Sequence, residues 1–343
     1  MLLFTLTYMI FLDSELIGGT ISVKRKPKVL VIGAGVIGSF LIHKLCAAGN
    51  NVTVLARGKT LEKLCREGLI TEDHFTRRVY RDRPRITDRI TDEYYDIVFA
   101  VMQYTQMPDV LNSLAAVNAP AVVLVGNNLS AHDMKRQITE RAAIEGSRCK
   151  HVLFGFQPTA GRRTKDLTVT VAFGKGSMVF GGLGEKIPAK LTRFMFFLFR
   201  GTGYTLTQVG DMDAFLKHHM DIILPVTYLC YRYDCDLRKV SAQDISDCLD
   251  AAAELYDTFE KMGIYSPDDD GSFYRRSKKR ELMAKPVFMA IAKTKLGELV
   301  ASEHCRNASA EMSALDSAVF RIIPEDADIP HLKNLRASCR IPR

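Results

Sequence analysis

Residues 28–59 read KVLVIGAGVIGSFLIHKLCAAGNNVTVLARGK. Lys28–Ile32 is a short β-branched and aliphatic run, the composition of a strand buried on both faces. Gly33, Gly35 and Gly38 follow in the spacing G-x-G-x-x-G, and residues 39–48 keep a helical period that Gly49 closes. Asn51–Leu55 reads as a second strand. In such a strand–turn–helix–strand unit the first glycine permits the tight turn and the second lets backbone approach a pyrophosphate. The third lets the helix pack on the strand, and the helix N-terminus offers free N–H groups and a positive dipole end to phosphate. The loop Gly33, Ala34, Gly35, Val36, Ile37 and Gly38 is thus the expected dinucleotide cradle; a purely structural glycine turn is the blander alternative.

The end of the second strand bears on which dinucleotide. NAD-binding versions of this unit usually carry an acid there, bonded to the ribose hydroxyls. Here the strand runs into Leu55-Ala56-Arg57-Gly58-Lys59. An arginine in that place grips a 2′-phosphate through charge-assisted, often bidentate bonds, and Lys59 adds a second positive charge. The pair favours NADPH over NADH; two exposed loop cations are the competing reading.

Outward from this unit, strands and helices alternate. Residues 96–102 (DIVFAVM) and 121–126 (AVVLVG) read as buried strands, with a helix at 107–114 between them. His151–Phe156, 167–173 and 178–182 are further strand candidates, and 189–200 is an apolar-faced helix. The charged stretch 71–92 suits edge strands and loops. From about residue 211 strand signals nearly vanish, and helical patterns occupy 214–231, Ala242–Lys261, 286–299 and 309–320. The fold expected is α/β: a doubly wound Rossmann-type N-terminal domain over 28–208, then an all-helical C-terminal domain over 209–343. Residues 1–27 form a loose extension, and the apolar run 1–12 is too short to span a bilayer. A net charge of +8 spread over 343 residues suits small anionic ligands. Eight scattered cysteines without CxxC pairs suit reduced thiols in a cytoplasmic protein.

With this order of domains and this cofactor signature, the chain resembles the ketopantoate reductase (2-dehydropantoate 2-reductase) family over roughly residues 28–320. The resemblance rests on KVLVIGAGVIGSFLIHKLCAAGNNVTVLARG, DIVFAVMQYTQ, VVLVGNNLSA, DAFLKHHMDIILP and HCRNASAEMSALDSAVF, in that order. It implies NADPH-dependent reduction of a 2-keto acid on the route to pantothenate. Lys217 would be the proton donor to the ketone oxygen, a role suited to an ammonium aimed at developing negative charge. Glu311 would hold the substrate and orient that lysine, and Asn127 would bond ribose or substrate oxygens. Without the resemblance, Lys217 reads as a surface helix lysine and Asn127 as a turn residue. Glu311 then reads as an acid favoured by a helix dipole, with Ser309 or Asn307 as that helix's cap.

Three positions depart from the family. Gln103 stands where the family commonly has a lysine at the cofactor, and Asn128 where it often has glycine. Asp221 replaces an asparagine that bonds substrate, and there it would repel a substrate carboxylate. His218 and His219 point in different directions from one helix and lack a partner at ligand spacing, so no metal is expected. The expected partners are NADPH and a small keto acid, with a homodimer left open and neither nucleic acid nor membrane. Another hydroxyacid or opine-type dehydrogenase, or a non-catalytic NADPH-binding redox sensor, remains an alternative. A nucleic-acid binder would rest only on the six arginines of residues 77–89.

Overall fold

The computed structural model describes residues 25–146, 150–172, 174–265, 271, 273–278 and 280–342. Most of the expected extension, residues 1–24, lies outside them, as does Cys149. By their contacts the described residues form two units that part between Met212 and Asp213.

The first unit is built on β1 (Lys28–Ile32), α1 (Val36–Ala47) and β2 (Asn51–Leu55). Gly49 follows α1 with φ +79°, the left-handed position that ends a helix without a Cβ penalty. After α2 (Gly58–Glu67) come β3 (Leu69–Asp73), β4 (Val79–Asp82), β5 (Arg85–Thr87) and β6 (Ile97–Val101). The chain continues through α3 (Leu111–Ala116), β7 (Ala121–Val125), α4 (Ala131–Ile144) and β8 (His151–Phe156). It then adds β9 (Thr159–Arg163), β10 (Thr168–Ala172), β11 (Ser177–Gly181), α5 (Ala189–Leu198) and β12 (Thr205–Val209).

Eight strands pair in the order β12-β11-β8-β7-β6-β1-β2-β5. From β5 to β8 all neighbours are parallel, and their succession is the doubly wound order, with its switch point between β1 and β6. Every residue of β6 and β7 is buried, which explains why IVFAV and AVVLV carry no polar alternation. Beyond β8 the rule breaks: β11 runs antiparallel to it. A second sheet, β4-β3-β10-β9, packs on α1, so this helix contacts both sheets. Its flank explains why Phe40, Leu41, Ile42 and Leu45 are all buried.

The second unit is helical among its described residues. α6 (Met212–Arg232) and α7 (Ala242–Lys261) fall where the sequence periodicity places them. Ser241 caps α7 with a reciprocal bond to Asp244. The single helix expected at 286–299 is broken instead: α8 (Lys285–Ala292) lies between π-turns at Arg280–Ala284 and Glu298–Ser302. α9 (Ser309–Ile322) and α10 (Pro330–Ala337) close the chain, α10 packing on α7. No helix among the described residues is long and apolar enough to cross a membrane.

Candidate functional site

The three glycines of the β1–α1 turn have three different surroundings. Gly33 has φ +97°, and a Cβ there would meet the Val101 carbonyl oxygen of β6 at 2.3 Å. A Cβ on Gly38 would meet the Gly33 carbonyl oxygen at 2.1 Å, so only glycine lets α1 start this close to its own turn. Around Gly35 a Cβ would meet nothing within 4 Å. That face of the turn is open, as backbone approach by a ligand requires. Gly35 is the N-cap of α1, with no side-chain cap and no acid in the first turn. The amides and dipole of this helix end are therefore met by no acid of the helix's own first turn. Ala34 and Ile37 offer carbonyls that are used: Arg163 donates to Ala34, and Gln157 Nε2 donates to Ile37 at 3.0 Å.

Arg57 is the N-cap residue of α2, and Lys59 lies in that helix's first turn. Both are exposed, and neither forms an ion pair among the described residues. Gln103 follows β6, half-buried, and its carbonyl accepts from the amides of Gln106 and Met107 at 2.9 and 3.1 Å. Asn127 follows β7; its Oδ1 is buried and accepts no hydrogen bond among the described residues. Such a buried acceptor calls for a donor, and a cofactor or substrate hydroxyl supplies one. Gly126, just before it, has φ +147° and would bring a Cβ to 2.7 Å from the Met102 carbonyl, so the loops after β6 and β7 touch. The open glycine turn, the uncapped helix end and the orphaned Asn127 oxygen together fit a dinucleotide.

In the helical unit Lys217 lies on α6 and is largely buried. Its ammonium bonds the Asp213 carboxylate one turn earlier. Sequence reading passed over Asp213, although its i, i+4 spacing to Lys217 was legible. Glu311, in the first turn of α9, is 3% exposed with Oε2 3.5 Å from His304 Nε2. Lys217 and Glu311 thus each hold a partner of their own. The expected side-chain cap of α9 is absent: Ala308 is the N-cap, and Asn307 donates instead to the Glu303 carbonyl at 2.7 Å.

Asp221 corrects the sequence reading most. It is fully buried and accepts from His218 Nδ1 at 2.8 Å, so the histidine does have a carboxylate partner at i+3. His218 Nε2 lies 2.8 Å from the Ile264 carbonyl oxygen. A carboxylate and a carbonyl both accept, an arrangement that suits an imidazolium donating from both ring nitrogens. Burial opposes that charge. The Asp221 hydrogen bond and charge, the Ile264 carbonyl and Glu260 outweigh it and hold the His218 pKa above its ordinary value. Asp221 is therefore a buried partner of His218 within α6. His219, also buried, behaves oppositely: burial and the nearby His304 push its pKa well down.

Asp247, Asp250 and His331 bring ligand atoms within 4.8 Å of one another. Asp250, however, is clamped by Arg276 and Arg280 at 2.9 and 2.5 Å, and these cations hold its pKa down at about 2 against the cost of burial. The cluster reads as an arginine clamp.

Residues 29–185 match the model of the family described as ketopantoate reductase PanE/ApbA. No curated protein matches the chain in sequence. Solved structures share its fold at low identity. The 2-dehydropantoate 2-reductase from Methylococcus capsulatus is 16% identical over 90% of this chain and 94% of its own, with a TM-score of 0.64. That from Porphyromonas gingivalis is 17% identical over 91% and 99%, at 0.63. D-mandelate dehydrogenase, solved with NADH and anilino(oxo)acetate, is 13% identical over 91% and 96%, at 0.64. Residues 29–185 thus match the ketopantoate reductase family model, and the chain shares its fold with solved 2-dehydropantoate 2-reductases.

Proposed function

We propose that the chain is an NADPH-dependent reductase of a small 2-keto acid, of the kind that converts ketopantoate to pantoate. The observation that carries the reading is the β1–α1 turn: open at Gly35, uncapped, and followed at the end of β2 by the exposed cations Arg57 and Lys59. The Asn127 oxygen then takes a hydroxyl donor. Bound NADPH supplies the hydride that reduces the ketone carbon. As that carbon is reduced, charge builds on the carbonyl oxygen, and Lys217 Nζ gives it a proton. Asp213 Oδ2 orients the ammonium, and Glu311 is the residue assigned to the substrate. The cysteines described in the structure are free thiols, which suits a cytoplasmic setting.

A second reading has its own support. The D-mandelate dehydrogenase structure shows that this fold also serves a 2-hydroxy acid enzyme solved with NADH. Purified protein incubated with NADPH or NADH and a panel of 2-keto acids separates the two. Oxidation of NADPH with ketopantoate supports the first, and oxidation with only aryl keto acids supports the second. Tight cofactor binding with no oxidation of any panel member would overturn both and leave a binding protein.

A further inference from the structure

Arg163 is the last residue of β9, in the second sheet, and its guanidinium donates to the carbonyl of Ala34, 129 residues earlier and inside the glycine turn. It forms no ion pair with a carboxylate among the described residues; the residue is exposed, and partial burial of its side chain draws its pKa down. A guanidinium has five N–H donors in a planar fork, and one bond to a carbonyl leaves most of them free. An unpaired guanidinium that solvent reaches and that keeps free N–H donors is available to an incoming anion. The place where this one sits is the turn whose Gly35 side is open and whose helix end is uncapped.

We infer that Arg163 is an anion-binding residue of the cofactor site, reaching over from the second sheet to pair with the pyrophosphate of the dinucleotide. The inference rests on the cofactor reading above and adds a residue that the glycine motif does not contain. The pyrophosphate is chosen over the 2′-phosphate because the guanidinium is tethered to the turn itself, whereas Arg57 and Lys59 follow the end of β2. The two phosphates make different demands. A pyrophosphate contact serves NADH and NADPH equally, and a 2′-phosphate contact serves NADPH alone. The packing of β9 on α1 then gains a purpose: it delivers a cation to a helix end that has no charged side chain of its own in the first turn.

The test is a titration of the full chain with NADPH and NADH, followed by nicotinamide fluorescence, for the unmutated protein and for Arg163→Ala, Arg163→Gln, Arg163→Lys and Arg57→Ala. Arg163→Ala and Arg163→Gln should weaken both cofactors by a similar factor, about tenfold or ~1.4 kcal/mol. Arg163→Lys should recover part of the loss, because it keeps the charge but not the fork. Arg57→Ala should weaken NADPH alone. Arg163→Gln keeps a donor for the Ala34 carbonyl, so full recovery in that variant would show a structural tether and overturn the inference. Unchanged affinities in Arg163→Ala would overturn it too, as would a loss confined to NADPH, which would move the residue to the 2′-phosphate. If the unmutated protein bound neither cofactor, the cofactor reading itself would fail and take the inference with it. Melting curves of each variant separate lost binding from lost folding.

Discussion

At the scale of single residues, protonation decides more than position. His218 and His219 are neighbours on α6, both buried, yet two acceptors raise the pKa of one and burial lowers that of the other. Because the folded pKa of His218 lies above the unfolded value, its contribution to stability is complete below about pH 6.5 and is lost as pH rises through the raised pKa. Asp221→Asn would leave that imidazolium without its anion, so the ring should shed its proton and stability should fall by roughly 3 kcal/mol at pH 6. Urea unfolding at pH 6 and pH 9 measures both effects, and ring nitrogen chemical shifts report the two protons directly. A variant as stable as the parent, or one that gains keto-acid turnover, would return Asp221 to the substrate. Lys217 carries a sharper expectation. Lys217→Ala should lower kcat by about 10²–10⁴-fold with NADPH affinity unchanged, and Lys217→Arg should also be poor because a guanidinium scarcely releases a proton. Asp213→Asn should lower kcat by less, since it disturbs the aim of the ammonium and leaves the ammonium in place. Near-normal turnover in Lys217→Ala would remove that lysine from the chemistry.

At the scale of elements, the β1–α1 unit was legible because each of its demands leaves a residue behind. The positive φ of Gly33 and the 2.1 Å approach at Gly38 both select glycine, and the spacing writes them into the chain. Gly38→Ala should push α1 off the turn, costing about 1–3 kcal/mol in stability and most of the cofactor affinity. A mutant with native affinity would mean that the helix tolerates displacement. Other elements left no such mark. β9 reads TAGRR and β12 TLTQV, with no apolar run, because one lies in a small covering sheet and the other edges the large one. The π-turn at Glu298–Ser302 breaks a stretch whose i, i+4 pattern reads as continuous, since an inserted residue shifts the register without changing composition. Site residues divide the same way. Gly33, Gly35 and Gly38 follow from local geometry. Arg163 comes to Ala34 only through the pairing of β9 with β10 and its packing on α1, which no local pattern records.

At the scale of the whole molecule, cofactor preference becomes a stability difference. A ligand that binds only the folded chain stabilises it by RT ln(1 + [L]/Kd), or about 2.7 kcal/mol at one hundred times Kd. If Arg57 and Lys59 set a tenfold preference, the same concentration of NADH sits at ten times its own Kd and should stabilise by about half as much, ~1.4 kcal/mol. Each kcal/mol moves Tm by roughly 2–4 °C for a unit of this size, so the two cofactors should give plainly different melting shifts. The gap should narrow as salt is raised. It arises from cations that are exposed in the structure, and about 0.1 M ions already screen such charges beyond ~10 Å. A net charge of +8 adds a general attraction that is stronger for NADPH, whose 2′-phosphate carries extra negative charge, so raised salt narrows the gap from this source as well. Equal shifts at low salt would sink the assignment of Arg57 and Lys59 to the 2′-phosphate while leaving the glycine turn its pyrophosphate. The absence of a shift with either cofactor would sink the turn as well.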